Sequence, residues 1–592
     1  MFKNRSYSPY SDILQILRYL LRWTPIAVLA GIMGGTASAV LLVSLVWATD
    51  TREAHKWLIA LLPLAGLLVG LMYKYPGTSV EAGNNLILDE VHDPKRTIPI
   101  RMTPLILIGT FMTHLFGGSA GREGTAIQTG ASLADQLGKP FSMDARERRV
   151  LLMAGISAGF ASVFGTPLAG AVFGLEVLAL GAISYDAIAP CFIAAFIGDF
   201  TTHAWGVHHT LYRVAEVPAM HAKGLLWAAI AGAAFGLVGM CFAKLTHAIA
   251  HFFKHHIAWS PLRPFTGGIV VALGVLLVGT TKYIGLGVPV IQAAFGSRHD
   301  PQDWLLKLLF TAVTLGAGFK GGEVTPLFYI GATLGNALAY VLPMPSSLLA
   351  GMGFVAVFAG AANTPIASAL MAIELFGAEA GAYAAIACVF SYLFSGHAGI
   401  YTSQRVGRSK HHANANEEGM SLAQVAKVRD LPELAEDHAV DNLGFMGGTL
   451  MNDLTILRLY FTAAQMRHAD SWWKKLAPQS LGDYLLRSAK KSGIEQALLH
   501  RVIGGYLKDH DLAMDTGEIS PAKLPQCLEL VGSEDSLQAF LKANREHLRK
   551  VRTVFLRGEE ARIEAAMEQQ ELEQVLDLEK RAHLVEPSHG GD

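Results

Sequence analysis

Four glycine-rich turns flank apolar stretches of this chain: Gly83-Asn84-Asn85-Leu86-Ile87, Gly121-Arg122-Glu123-Gly124-Thr125, Gly322-Glu323-Val324-Thr325-Pro326 and Gly396-His397-Ala398-Gly399-Ile400-Tyr401. The first three read as helix starts. A helix N-terminus presents unpaired N–H groups and about half a positive charge, and a glycine before it lets a ligand reach the backbone. Several such ends meeting at one point make an anion site without burying full charges. Phosphate would use the same physics, but the sequence holds no Gly-x-x-x-x-Gly-Lys-Ser/Thr turn. A small anion fits better, with Gly83, Asn84, Gly121, Arg122, Gly124, Val324 and Thr325 as candidate contacts. Glu123 lies in the second turn, where its carboxylate would be drawn to the N–H groups that bind the anion. Protonation removes that attraction, so one residue can couple proton movement to anion movement; the plainer reading is an acidic residue that only stabilises its helix.

Such turns need a scaffold that brings them together inside a membrane. Of 592 residues, 51% are apolar and only 16% charged, against nearer a quarter charged in a soluble domain. The charges concentrate from about Arg405 onward. Lys plus Arg number 48 and Asp plus Glu 49, so no basic field points to nucleic acid. Cys191, Cys241, Cys388 and Cys527 are far apart and form no Cys-x-x-Cys pair, which suggests neither a disulfide framework nor a zinc site. Met1 to Trp23 reads as a retained, Arg-bearing amphipathic helix leading into the membrane. Twelve apolar runs follow, from Pro25–Ala48 to Ala382–Leu393, and many hold only 11 to 16 residues, short of the ~20 a spanning helix needs. Short runs broken by Gly and Pro predict tilted or discontinuous helices whose ends line a cavity. A shift of 198 residues places Gly155–Ala161 on Gly353–Ala359, Thr166-Pro167-Leu168-Ala169 on Thr364-Pro365-Ile366-Ala367, and Glu176 on Glu374; shifts of 201 and 202 align Gly130 with Gly331 and Gly83 with Gly285. Two homologous halves follow, about 60–200 and 260–395, facing opposite ways if each has an odd number of spans.

Gly121-Arg122-Glu123-Gly124, the Gly-x-x-x-Pro turn ending at Pro326 and Pro167-Leu168-Ala169-Gly170 resemble the CLC anion channels and exchangers, over about residues 60–405. Within that family, Thr125 where most members have Pro, the Gly83-Asn84-Asn85-Leu86-Ile87 turn, and Glu323 with Thr325 together resemble the bacterial fluoride/proton antiporter branch. The resemblance implies that Glu123 is the gate and proton carrier. It implies that Asn84 replaces a hydroxyl donor with an amide, which suits fluoride, a small and strongly hydrated anion that needs close donors in place of its water; Asn84 could equally cap its helix. It implies that the Tyr401 hydroxyl coordinates the central anion, although a Tyr there is also a routine interface anchor. Val177 stands directly after Glu176, where chloride exchangers of the family carry the proton glutamate. Glu323 is then the best substitute, as a second proton site or as part of the anion path, unless it pairs with Lys320 to fix the loop. Glu176 and Glu374 read as helix-end or hydrogen-bonding residues, and His114 and His397 as packed histidines.

The tail changes period. Leu454–Phe461, Leu499–Tyr506, Pro525–Val531 and Val551–Leu556 read as strands, with helices over Ser480–Lys491 and Ser533–Arg549: a ferredoxin-like βαββαβ order. Its residues resemble a PII-like family of unknown function found beside fluoride exporters. A small regulatory ligand or self-association through this tail are both open. The expected layout is an amphipathic helix (1–24), a membrane domain (25–405), a linker (406–450), the tail domain (451–558), and a charged helix and tail (559–592), with the helix over Gly558–Glu579. The whole is an all-α polytopic membrane protein of CLC-type inverted-repeat fold with discontinuous helices, plus a small α/β ferredoxin-like (PII-like) C-terminal domain. The expected function is fluoride/proton antiport by a homodimer of the bacterial inner membrane with both termini cytoplasmic, exporting fluoride on the proton gradient, with no cofactor, no metal and no covalent chemistry. The rivals are a chloride/proton exchanger or chloride channel of the same fold, and a membrane-anchored ligand sensor.

Overall fold

In lipid an apolar segment satisfies its backbone polar groups by becoming a helix, and the apolar runs of this chain do so. A computed structural model describes residues 9–411, 417–430, 451–462, 480–501, 504–505, 513–514, 525–548 and 551–561. It separates into two compact units, Met1–Pro432 and Glu433–Asp592. The first contains α1 (Pro9–Ala54), α2 (Leu62–Lys74), α3 (Asn84–His92), α4 (Met102–Leu115), α5 (Glu123–Asp135), α6 (Ala145–Phe164), α7 (Pro167–Glu176) and α8 (Ile188–Ala204). It continues with α9 (Ala222–His256), α10 (Leu262–Val278), α11 (Val288–Gly296), α12 (Asp303–Gly316), α13 (Val324–Leu338), α14 (Ser346–Ala362), α15 (Pro365–Phe376) and α16 (Ala378–Phe394). Among the described residues four helical stretches are long and apolar enough to cross a membrane, while most others are shorter, as the broken runs predict.

The second eight helices repeat the first. Helices α3 and α11 have 9 residues each, α4 and α12 have 14, and α8 and α16 have 17. Helix α1 packs on α6 and α8 as α9 packs on α14 and α16. Each half therefore includes one long helix more than the 60–200 and 260–395 read from the sequence. The residue before α3 is Gly83 (φ +59°) and that before α11 is Gly287 (φ +74°), so Gly83 corresponds to Gly287 rather than to Gly285. The N-terminal expectation is also revised: α1 runs unbroken through Pro25 instead of dividing near residue 24. Pro25 only forgoes the bond to the Leu21 carbonyl, and packing on α8 holds the helix together. At its start Arg22 pairs with Glu147 at 2.8 Å and the Tyr19 hydroxyl donates to the Asp186 carbonyl at 3.1 Å.

Helices α7 and α15 cap one another across the pseudo-twofold axis. Both begin with Thr-Pro, which places Pro at the first helical position, where its missing N–H costs nothing. Glu374, near the end of α15, accepts from the Leu168 and Ala169 N–H groups at 2.8 and 2.9 Å. Glu176, the last residue of α7, accepts from Ile366 and Ala367 at 3.0 and 2.8 Å. Each carboxylate satisfies two orphan donors and faces the positive end of the opposing helix. Between the halves the core is aromatic: Phe164 of the first meets Phe328 of the second at 5.1 Å, and Phe160 and Phe173 each stack on Phe358 at 6.0 Å.

After α16 the chain folds back on this unit. Strand β1 (Ala179–Leu180) pairs in parallel with β2 (Arg405–Val406), and α17 (Leu422–Asp430) follows. The Lys410 ammonium donates to the Tyr392 and Gly396 carbonyls at 2.6 and 2.7 Å, to Asn363 Oδ1 at 2.7 Å and to Ser395 Oγ at 2.9 Å. Burial pushes the Glu417 carboxyl up, but hydrogen bonds from Arg429 and His397 outweigh it and hold the group below the usual carboxylate range. The first part of the expected linker is thus docked structure.

The second unit is a four-stranded sheet of β3 (Met451–Thr462), β4 (Gln496–Arg501), β7 (Pro525–Gly532) and β8 (Arg552–Ala561), in the order β4-β7-β3-β8 with every neighbour antiparallel; a short β5 (Gly504–Gly505) pairs with β6 (Ala513–Met514). Alternation sends Leu457, Leu459 and Phe461 into a core with Leu528 and Leu530, closed by Leu481 and Leu485 of helix Leu481–Lys491 and by Leu537 and Phe540 of helix Glu534–Ala543. The element order is the expected βαββαβ. Its second strand lies at Gln496–Arg501 instead of 499–506, the second helix ends at Ala543 instead of Arg549, and β8 runs to Ala561, so 558–561 are strand, not helix. The remainder of the expected charged helix lies outside the described residues.

The reciprocal caps yield a stability prediction. Glu176→Ala leaves the buried Ala367 N–H without an acceptor, at an expected cost of about 1–3 kcal/mol, seen as a lower melting temperature of the detergent-solubilised protein. Glu374→Ala, at a more accessible site, should cost less. Melting of Glu176→Ala at the parent temperature would refute the cap.

Candidate functional site

The second and third glycine turns meet where the halves touch. The Gly121 N–H donates to the Gly322 carbonyl at 2.6 Å, and the Gly322 N–H returns the bond to Gly121 at 2.8 Å. A Cβ on Gly121 would fall 2.9 Å from the Gly322 carbonyl oxygen, closer than such atoms approach. Glycine is therefore required for the approach, which brings the first turns of α5 and α13 to one point.

Into that point Glu123 turns its own carboxylate, fully buried. Oε2 accepts from the Arg122 N–H at 3.0 Å and from the Thr325 N–H at 3.0 Å. Oε1 accepts from the Thr325 hydroxyl, with Arg122 Nε 3.8 Å away. One carboxylate thus draws donors from helix starts of both halves, in the arrangement an anion would adopt there. Thr125, two residues along, shares a 2.6 Å hydrogen bond with Thr110 of α4. His114, on the same helix, has its ring nitrogens 2.8 Å from the Thr110 carbonyl and 3.1 Å from the Ala120 carbonyl, where an N–H can donate to either, and so braces the turn.

Asn84 and Tyr401 approach from one side. They line a small cavity with Ile127, Ile156, Phe173 and Val177. The Asn84 amide nitrogen lies so near α5 that a Cβ on Gly124 would come within 3.1 Å of it. Gly83 holds a positive φ that turns the chain into α3, and a Cβ there would meet the Gln128 amide at 3.2 Å. On the other side, Arg122, Thr325, His209, Tyr212 and Phe328 line a second cavity. Thr325, whose hydroxyl donates to Glu123, thus lines this second cavity. Among the buried polar atoms here without a hydrogen-bond partner are Asn84 Oδ1, Arg122 Nε, Tyr401 Oη and Glu323 Oε2. Such groups are rare without a ligand or water to meet them.

Sequence reasoning located Gly83, Asn84, Gly121, Arg122, Glu123, Gly124, Glu323, Val324, Thr325 and Tyr401, and the structure gathers the turns that carry them. Among the described residues no Lys320–Glu323 salt bridge forms: the Lys320 ammonium sits 3.9 Å from the Tyr73 ring centre and 3.4 Å from the Glu81 carbonyl. Val324 starts α13 with its side chain buried. His209 and Tyr212 of the α8–α9 connection had not been singled out, and no turn or helix period marked them. Nor had Asp199 and His203, which the structure groups with His209.

The family described as voltage gated chloride channel matches residues 65–396. The chain is 54% identical over 437 residues to a chloride/fluoride channel protein of Pseudomonas syringae pv. tomato, covering 73% of this chain and 96% of the relative. Its structure resembles the crystal structure of a CLC-type fluoride/proton antiporter with a TM-score of 0.64 at 33% identity, over 65% of this chain and 98% of that one. It shares the fold of a slow cyanobacterial Cl−/H+ antiporter, with a TM-score of 0.57 at 18% identity over 70% and 97% of the two chains. Inverted halves, facing helix starts and these matches together make the chain an integral membrane protein of the CLC family of chloride and fluoride channels and transporters.

Proposed function

We propose that this protein is a fluoride/proton antiporter that expels fluoride from the cytoplasm as protons enter. One observation carries the reading: the Glu123 carboxylate occupies the donor set formed by the Arg122 N–H, the Thr325 N–H and the Thr325 hydroxyl. Those donors can hold a carboxylate or a halide, but not both. Protonated Glu123 loses the charge that keeps it there and swings out; the vacated donors then accept the anion. Competition for one seat is what links the two ions.

Fluoride is costly to dehydrate, so its path needs strong donors at each step. The unpartnered Tyr401 hydroxyl and the Asn84 amide supply them from the adjoining cavity. Glu323, half-buried at the start of α13 with a buried carboxylate oxygen that has no hydrogen-bond partner, serves as the second proton site, in place of the carboxylate that Val177 lacks. The solved fluoride/proton antiporter and the relative named for chloride and fluoride support the choice of halide. We further propose a homodimer of the bacterial inner membrane with both termini cytoplasmic, and a tail that binds a small regulatory ligand or aids self-association.

Proteoliposomes of the purified chain, monitored with fluoride, chloride and pH electrodes, test the proposal. Fluoride efflux should drive proton uptake and exceed chloride efflux; fluoride and proton movement without mutual dependence would overturn it. Glu123→Gln keeps the side-chain shape but cannot ionise, so proton movement should fall to background. Coupled exchange surviving in that variant would remove Glu123 from the role. Asn84→Ser should lower the fluoride/chloride flux ratio by about tenfold, ~1.4 kcal/mol of discrimination, and an unchanged ratio would count against the amide.

A further inference from the structure

Asp199 and His203 stand one turn apart on α8, and His209 returns to them from the connection that follows. Asp199 Oδ1 lies 3.4 Å from His203 Nδ1 and 3.7 Å from His209 Nε2. One possible ligand atom from each of the three residues lies within 4.8 Å of the others. Zinc bonds to imidazole nitrogen and carboxylate oxygen measure about 2.0–2.2 Å, which at tetrahedral angles separates neighbouring ligand atoms by roughly 3.3–3.6 Å. The two separations from Asp199, 3.4 and 3.7 Å, already stand near that spacing. Asp199 Oδ1 and His209 Nε2 are also buried without hydrogen-bond partners. A desolvated carboxylate oxygen facing a bare imidazole nitrogen calls for something between them. His203 Nδ1 is 3.0 Å from the Asp199 carbonyl, a bond that ligation would exchange for the metal.

The location gives the cluster a consequence. Helix α8 runs parallel to α1: Tyr19 meets Asp186 near the start of both, and Trp205 Nε1, just past the end of α8, donates at 3.3 Å to Thr36 Oγ1, 17 residues further along α1. The cluster therefore lies toward the membrane face opposite the start of α1. His209 also lines the cavity that holds Arg122 and Thr325, beside the Glu123 seat. We propose that Asp199, His203 and His209 bind a divalent transition metal of zinc-like character, and that the bound ion pins the α8–α9 connection over this cavity and slows ion exchange. Two imidazoles and one carboxylate favour zinc, copper or nickel over magnesium and calcium. Three protein ligands leave a fourth position for water, as suits an ion that loads from the medium.

Zinc is the probe. The full-length protein in detergent competes for zinc with a chromophoric chelator, and reconstituted protein is assayed for halide efflux with zinc on both sides of the membrane. The parent should bind one zinc per chain and lose flux as zinc is added. His203→Ala and Asp199→Asn should each weaken zinc binding by at least about tenfold, the lower end of what even outer-shell substitutions cost at metal sites. Neither residue lines the cavity, so both variants should retain metal-free flux and lose zinc inhibition. His203 is exposed, so its variant remains informative if Asp199→Asn does not fold. Equal zinc affinity in parent and His203→Ala, zinc-loaded protein that transports at the metal-free rate, or magnesium that binds as well as zinc would each overturn the proposal.

Discussion

The Gly121–Gly322 contact is the constraint on which the rest of the membrane unit depends. Two short backbone hydrogen bonds join the turns of opposite halves, and only residues without a Cβ can make them at this distance. Because they form, the starts of α5 and α13 share one small volume. A helix start in lipid would otherwise hold N–H groups with neither water nor partner. Here those groups have a common acceptor in the Glu123 carboxylate, which offsets the desolvation of its own charge. Seat and occupant stabilise each other, and a seat stable only when filled suits the proposed exchange, in which the path never stands open.

The same logic recurs at α7 and α15. There too, two helices of opposite halves start with orphan N–H groups, and there too a glutamate from the facing half supplies the acceptor. What separates the two cases is geometry. Glu176 and Glu374 each reach across to a helix that the other's chain segment begins, so each cap is one element of a reciprocal pair and neither can leave without exposing donors. Glu123 starts its own helix, accepts from the Arg122 N–H just before it and borrows Thr325 from the other half, so a rotation of its own side chain is enough to empty the seat.

Much of this was legible in the sequence, for reasons that differ by residue. Glycines required by close approach, Thr-Pro helix starts and a glutamate at a repeated offset all constrain backbone geometry, so both halves retain them and they align. Helices α3 and α11, at nine residues, leave no apolar run to find, and only the glycine before α3 announced one of them. Pro25 suggested a boundary that packing on α8 overrides, so α1 was divided too early. The cavity residues His209 and Tyr212 come from a connection without period or turn signal; only the fold brings them beside Arg122. In the tail, alternation located β3 and β7, whereas β4 lacks a clean alternation and was placed three residues late.

The repeat builds the seat twice, and the sequence fills it once. Aligned on Gly121 and Gly322, Arg122 corresponds to Glu323, Glu123 to Val324, and Gly124 to Thr325. Val324 has no charge to offer, so one carboxylate faces the shared donors and the two halves do not compete to close the path. Where the first half has Gly124, whose bare Cα admits the Asn84 amide, the second has Thr325, whose hydroxyl grips Glu123. Arg122 and Glu323 precede α5 and α13 at equivalent positions with opposite charge. In the proposed cycle the cation beside the seat favours anion entry, while the carboxylate on the other side receives a proton. A symmetric pair of turns would bind an anion equally from either half, and in the proposed cycle these three differences give the exchange its order.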